Sequence, residues 1–160
     1  MSIAIVGNGP LTDEQRNEIN EYEIIIRQNY CNNFKKGDKT SHLLLRYSGR
    51  KRKFKGEKYI EHANEILLYS GQNEEHINSL KIQYPNKTFK IVQWKDCVKP
   101  RLKWSTGYIA FEYFKDYKNV HMYGYNWHHE NHSIHPIRYE EKIIKQSDII
   151  IHDTATYTLF

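Results

Sequence analysis

Cysteine is scarce in this chain: Cys31 and Cys97 are the two among 160 residues. They have no C-x-x-C spacing, which removes the zinc-knuckle and dithiol redox motifs. One disulfide between them is neither required nor excluded by sequence. No apolar run approaches the ~20 residues that a membrane-crossing helix needs. The run Ile3–Val6 stops at Gly7 and is too short for the apolar core of a signal peptide. Sparse cysteine with no targeting segment predicts a cytoplasmic protein with reduced thiols. Repeats, linkers and low-complexity tracts are also missing, so residues 1–160 read as one domain. No D-x-D pair occurs; Asp13, Asp38, Asp96, Asp116, Asp148 and Asp153 stand apart from one another.

What the chain does contain is aromatic and mildly basic. Its 13 tyrosines suit half-buried positions with a polar tip, and equally a cleft that holds sugars. Lys+Arg is 24 against 19 Asp+Glu, a formal charge of +5. That surplus favours phosphates, nucleic acids or anionic sugars, and is also compatible with an ordinary solvated surface.

Short apolar runs alternate with helical patterns. Strands are predicted at Ile3–Val6, Glu23–Arg27, His42–Arg46, Ile66–Tyr69, Phe89–Trp94, Val120–Tyr123 and Ile149–Ile151. Helices are predicted from Thr12, where Gln15 completes a capping box, over Gln72–Tyr84, over Ser105–Asp116 with Ser105 or Thr106 as cap, and over Pro136–Gln146. Strand–helix alternation predicts an α/β fold with a mostly parallel sheet flanked by helices. Ligands on such sheets sit at the carboxyl ends of the strands. The loops after Val6, Arg27 and Tyr123 and the cap at Ser105 are therefore the candidate binding elements.

Four stretches carry polar chemistry. Val6-Gly7-Asn8-Gly9-Pro10 is a strand, a glycine turn and a helix approach, a pattern that cradles a phosphate with backbone N–H groups or simply makes a tight turn. It lacks the third glycine of the dinucleotide fingerprint. Ile26-Arg27-Gln28-Asn29 ends a strand in polar residues, with Asn29 as a sugar or phosphate partner or a turn former. Trp104-Ser105-Thr106-Gly107-Tyr108 offers hydroxyls and N–H groups at a helix start, or only a cap. From Gly124 onward come Trp127, His128, His129, His132 and His135, then Glu140. Imidazoles so concentrated serve as acid, base or phosphate partner, or as zinc ligands.

These stretches resemble, in order, the four motifs of glycosyltransferase family 29, the sialyltransferases. Val6-Gly7-Asn8, Ile24-Ile25-Ile26-Arg27-Gln28-Asn29 and Phe34-Lys35-Lys36-Gly37-Asp38-Lys39-Thr40 resemble the large motif. Ser105-Thr106-Gly107 with Asn119-Val120-His121-Met122-Tyr123-Gly124-Tyr125 resembles the small one. Trp127-His128-His129-Glu130-Asn131 is similar to the third motif, and His135-Pro136-Ile137-Arg138-Tyr139-Glu140 to the very small H-x4-E motif. The resemblance implies a GT-A-like (Rossmann-like) fold without a metal site or cofactor. It implies an inverting transfer of a sialic acid-type sugar from a CMP-sugar to a glycan acceptor. It implies that Asn8, on the turn with Gly7 and Gly9, and Asn29, at the end of the second strand, hold the phosphate and ribose side. Ser105, Thr106 and Gly107 then hold the nucleoside, His128 or His129, beside Gly124 and Trp127, faces the phosphate, and His135 is the general base. The paired cysteines of the animal enzymes do not match, since Ile3 stands where the first would be. The stretch between His129 and His135 is short, which points to a compact virus- or microbe-like member with a reduced acceptor lid.

Two other readings remain open on sequence. One is a different nucleotide-sugar transferase, or an inactive relative, on the same fold. The other is a nucleic-acid-binding module using Arg50-Lys51-Arg52-Lys53-Phe54-Lys55, a run that also reads as a solvated loop.

Overall fold

The computed structural model describes residues 1–69, 73–93, 103–127 and 135–154. Trp94, Cys97, His128, His129 and His132 lie outside the described residues.

The chain forms an α/β sheet with helices on both faces. The strands are β1 (Ile3–Val6), β2 (Ile24–Gln28), β3 (His42–Ser48), β4 (Lys53–Phe54), β5 (Glu65–Tyr69), β6 (Thr88–Val92), β7 (Val120–Tyr123) and β8 (Ile150–Ile151). The helices are α1 (Asp13–Ile19), α2 (Glu74–Gln83), α3 (Thr106–Phe114) and α4 (Ile137–Lys145). A 3₁₀ turn covers Glu57–His62. The strand order is β6-β5-β3-β2-β1-β7-β8, all parallel, with the short β4 pairing antiparallel to β3.

The central strand shows why. Ile3, Ala4, Ile5 and Val6 are all fully buried, as a strand covered on both faces must be. Side chains alternate across the sheet. Ile3 and Ile5 pack with Ile26, Leu44, Leu67 and Met122 beneath α3 and α4, through Tyr108, Phe111, Phe114 and Ile144. Ala4 and Val6 face the other way, towards Leu11 and Ile19 of the α1 side. Further along that second face, Leu43, Leu45, Ile66 and Leu68 meet Ile60, Ile77 and Leu80.

The Thr12–Gln15 capping box is present in full, and Ser105 is the cap of α3. Helix α2 begins at Glu74 behind Asn73, whose carboxamide accepts from the His76 N–H. The basic run 50–55 is more than a solvated loop: Tyr47 pairs with Phe54 and Ser48 with Lys53, making a hairpin. Phe54 anchors it, because its ring is buried against Tyr47. Cys31 is a free, buried cysteine, and burial pushes its thiol up to about 12, so it is no thiolate at neutral pH.

From β1 the chain winds outward through β2, β3, β5 and β6, then returns to place β7 on the other side of β1. The order reverses between β1 and β7. In doubly wound sheets the crevice outside the strand ends opens at that reversal.

Candidate functional site at the switch between β1 and β7

The loops leaving β1 and β7 touch through their backbones. Gly7 N–H donates to Tyr123 O and Gly9 N–H to Gly124 O, both at 2.7 Å. A Cβ on Gly7 or Gly9 would lie 2.6 Å from Gly124 O. Only glycine permits that approach, and Gly124 itself sits at φ +69°. This corrects the expected phosphate cradle: the N–H groups of Gly7 and Gly9 are spent on Tyr123, the last residue of β7, and on Gly124, the residue after it. Asn33 fastens the turn from the far side, donating from one carboxamide nitrogen to Gly7 O at 2.8 Å and Gly9 O at 2.6 Å.

Beside this junction lies a cleft of about 390 Å³. It gathers every sequence-predicted residue among those described: Gly7, Asn8, Gly9, Asn29, Ser105, Thr106, Gly107, Gly124, Trp127 and His135. They come from four separate stretches of chain. Arg27 does not join them, because strand alternation turns it away from Gln28. It is buried in an ion cluster where Arg16 meets Asp38 at 2.7 Å and Arg27 approaches the same oxygen at 3.7 Å. Arg27 also donates to Asn33, so the cluster props up the glycine turn from below.

The asparagines work as braces. Asn8 donates to Gln28 O at 3.3 Å and accepts from Asn32 N–H at 3.0 Å, tying the β1 loop to the β2 loop. Asn29 leaves β2 in the left-handed region at φ 48°, which asparagine tolerates. Its carboxamide accepts from Arg46 N–H and donates to Thr106 Oγ1, each at 3.0 Å. One side chain thereby holds β2, β3 and the start of α3 in register.

The start of α3 is held from both sides. Ser105 Oγ accepts from Tyr108 N–H at 3.1 Å, while the Ser105 N–H and hydroxyl both donate to the Glu140 carboxylate at 2.7 Å. Glu140 is 2 % exposed, and burial raises its pKa against the opposing pull of those two bonds. With Tyr108 N–H capped, the N–H groups of Thr106 and Gly107 are the first-turn donors left without an intrahelical acceptor. Both residues line the cleft, and the helix dipole favours an anion at this end. Gly107 is glycine for a steric reason: a Cβ there would meet the Tyr125 ring at 2.8 Å. Tyr125 Oη accepts from Gln28 at 2.8 Å and donates to Gly107 O at 3.1 Å, forming the floor.

His135 Nδ1 lies 2.6 Å from Lys103 O. A carbonyl only accepts, so the proton of the neutral ring is on Nδ1 and Nε2 carries the lone pair. Trp127 packs beside Tyr125, with Lys145 over its ring at 5.2 Å.

Gln28, Asn33, Tyr125, Arg46 and Lys55 belong to the site without having been assigned a role from the sequence. Arg46 and Lys55 put two cations in the lining of the cleft. Arg46 was open to discovery, since it stands near the carboxyl end of β3, where ligands of such sheets sit. Lys55 reaches the cleft only because β4 folds back, its N–H donating to Arg46 O at 2.8 Å.

No family model matches the chain, and no curated protein or solved structure matches it. The resemblance to family 29 rests on the four motifs. No helix among the described residues is long and apolar enough to cross a membrane.

Proposed function

We propose that the chain is an inverting glycosyltransferase that moves a sialic acid-type sugar from a CMP-sugar to a hydroxyl of a glycan acceptor. The observation that carries this reading is the convergence of four separate motif stretches on one cleft at the strand-order reversal. The nucleotide lies along Thr106 and Gly107, with its phosphate towards their N–H groups and Arg46. The acceptor oxygen attacks the anomeric carbon and the carbon–oxygen bond to the CMP phosphate breaks. The acceptor's proton passes to Nε2 of His135, whose other nitrogen is held by Lys103 O. CMP leaves as an anion, and preorganised N–H donors stabilise the charge that develops on its phosphate. Donors fixed in place need not reorganise as the bond breaks, and the reading gives no role to a metal.

Release of CMP from CMP-sialic acid tests this without knowledge of the acceptor. Slow donor hydrolysis by the wild-type chain, lost in His135→Ala and inhibited by CMP, is expected. Hydrolysis of a UDP- or GDP-sugar instead would assign another transferase to the same cleft.

A further inference from the structure

The β3–β4 hairpin borders a second hollow, of about 230 Å³. Tyr30 forms one wall, and Lys51, Lys53, Lys55 and Lys58 stand around it. Lys51 Nζ lies 5.6 Å and Lys55 Nζ 5.9 Å from the centre of the Tyr30 ring. Tyr30 is 40 % exposed. None of the four lysines has an ion-pair partner among the described residues. The one carboxylate in the lining, Glu57, is engaged elsewhere: it accepts from Phe54 N–H at 2.8 Å and pairs with His76. The hollow is therefore cationic around an open aromatic face. Lys55 lines both this hollow and the cleft at the β1–β7 junction, so the two are adjoining.

We propose that this hollow is the acceptor subsite, and that it takes a saccharide bearing an acidic group. The sugar's C–H face lies on Tyr30 and its carboxylate, sulfate or phosphate lies among the four ammonium groups. The inference rests on the transferase reading for the word acceptor, and on the hollow alone for the anionic saccharide. Cations without ion-pair partners, gathered beside a ring, give an anion an electrostatically favourable seat. Single-stranded nucleic acid fits less well. It is held by successive aromatic platforms along a continuous groove, whereas this hollow offers one exposed ring in a compact space. The adjoining cleft puts a saccharide on Tyr30 next to the residues that would hold the donor.

The test is a titration of the full chain with three probes at two salt concentrations. The probes are a chondroitin tetrasaccharide, neutral chitotetraose and an eight-residue oligothymidylate. The chondroitin tetrasaccharide is expected to bind saturably, more weakly at higher salt, and chitotetraose at least tenfold more weakly. Charge reversal at two exposed lysines, Lys51→Glu with Lys58→Glu, should raise its Kd at least tenfold and leave CMP binding unchanged. Tyr30→Ala should weaken it as well, while Tyr30→Phe, which keeps the ring, should not. Equal binding of the neutral and acidic tetrasaccharides would overturn the proposal. So would an unchanged Kd in the double variant, or tighter binding of the oligothymidylate. Failure of CMP to bind, with chondroitin binding intact, would sink the transferase reading and leave the hollow's ligand class standing.

Discussion

Glu140 on α4 holds Ser105 at the start of α3 by two bonds at once, to its N–H and to its hydroxyl, each at 2.7 Å. The carboxylate is buried and its ordinary ionisation is opposed by that burial. A group so placed fixes the donors of the α3 turn with respect to His135, five residues before it in sequence. Glu140 is best understood as a positioning residue, because its oxygens are occupied by Ser105.

Glu140→Gln is therefore expected to keep the fold but loosen the turn. The amide accepts from the Ser105 N–H and no longer accepts as a carboxylate from the hydroxyl. Loss of a charge-assisted bond in a buried site costs about 1–3 kcal/mol. Urea unfolding should show that loss, and CMP affinity should fall in parallel. Ser105→Ala should cost about 1–2 kcal/mol, since the cap disappears too. Full stability in both variants would show that the two bonds do not hold the turn.

Gly9→Ala and Gly107→Ala separate fold from site. At Gly9 the added Cβ meets the backbone of Gly124 at 2.6 Å, which cannot yield cheaply. A strained contact of that kind costs about 1–3 kcal/mol, so the melting temperature should drop. At Gly107 the obstacle is the Tyr125 side chain. It can move, at the expense of its bonds to Gln28 and Gly107 O. Gly107→Ala should fold and bind CMP at least tenfold more weakly, as judged by calorimetric titration.

Stability should fall in mild acid. Burial lowers the pKa of His42 and of His121 below the usual 6.5, and for His121 the neighbouring His152 lowers it further. His42 also sits 3.0 Å from Glu65, which opposes the shift without reversing it. A histidine with a depressed native pKa binds its proton first in the unfolded chain. The contribution is thus fully present above pH 6.5 and lost as pH falls from there through the native pKa. Unfolding free energies at pH 7.5 and 5.5 should differ in that direction. His121→Gln with His42→Gln should flatten the difference, and an unaltered slope would place its origin elsewhere.

Activity should survive a chelator. On the proposed reading the donor's single phosphate charge is met by the α3 N–H groups and Arg46, so transfer would need no metal ion. The rival arrangement makes zinc ligands of His128, His129, His132 and His135. Stoichiometric zinc in freshly purified protein, with turnover abolished by a chelator, would establish that rival.

Much of this architecture was legible beforehand because local signals and tertiary structure agree. The Ile3–Val6 run is apolar throughout, as a strand buried on both faces must be, and Thr12–Gln15 and Ser105 are caps whose partners lie three residues on. The cleft residues were legible through motif order, and their convergence follows from the sheet's reversal. What sequence could not supply was the use to which each polar atom is put. The N–H groups of Gly7 and Gly9 look available in the sequence, but the parallel register of β1 with β7 consumes them. Asn33 and Tyr125 act on residues far away in the chain, so no local spacing marks them. The β4 hairpin was missed because Lys53-Phe54 is too short and too charged for a strand pattern, and Phe54 supplies its anchor only through burial against Tyr47.

The transferase account places the proton on His135, and the orientation of that ring is fixed by Lys103 O. Removing a positioned base commonly costs ~10²–10⁴-fold in rate. His135→Ala should lose turnover on that scale and bind CMP as the wild type does. Retained turnover in this variant, with His132→Ala inactive, would move the base to His132.

The central claim is that the cleft at the β1–β7 junction is a cytidine monophosphate site. Calorimetric titration of the wild-type chain with CMP, UMP and GMP under one buffer tests it most directly. The account predicts one saturable site for CMP, displaced by CMP-sialic acid, with UMP and GMP at least tenfold weaker and CMP binding weakened in Gly107→Ala. No CMP binding, or equal binding of all three nucleotides that Gly107→Ala leaves unchanged, would contradict it.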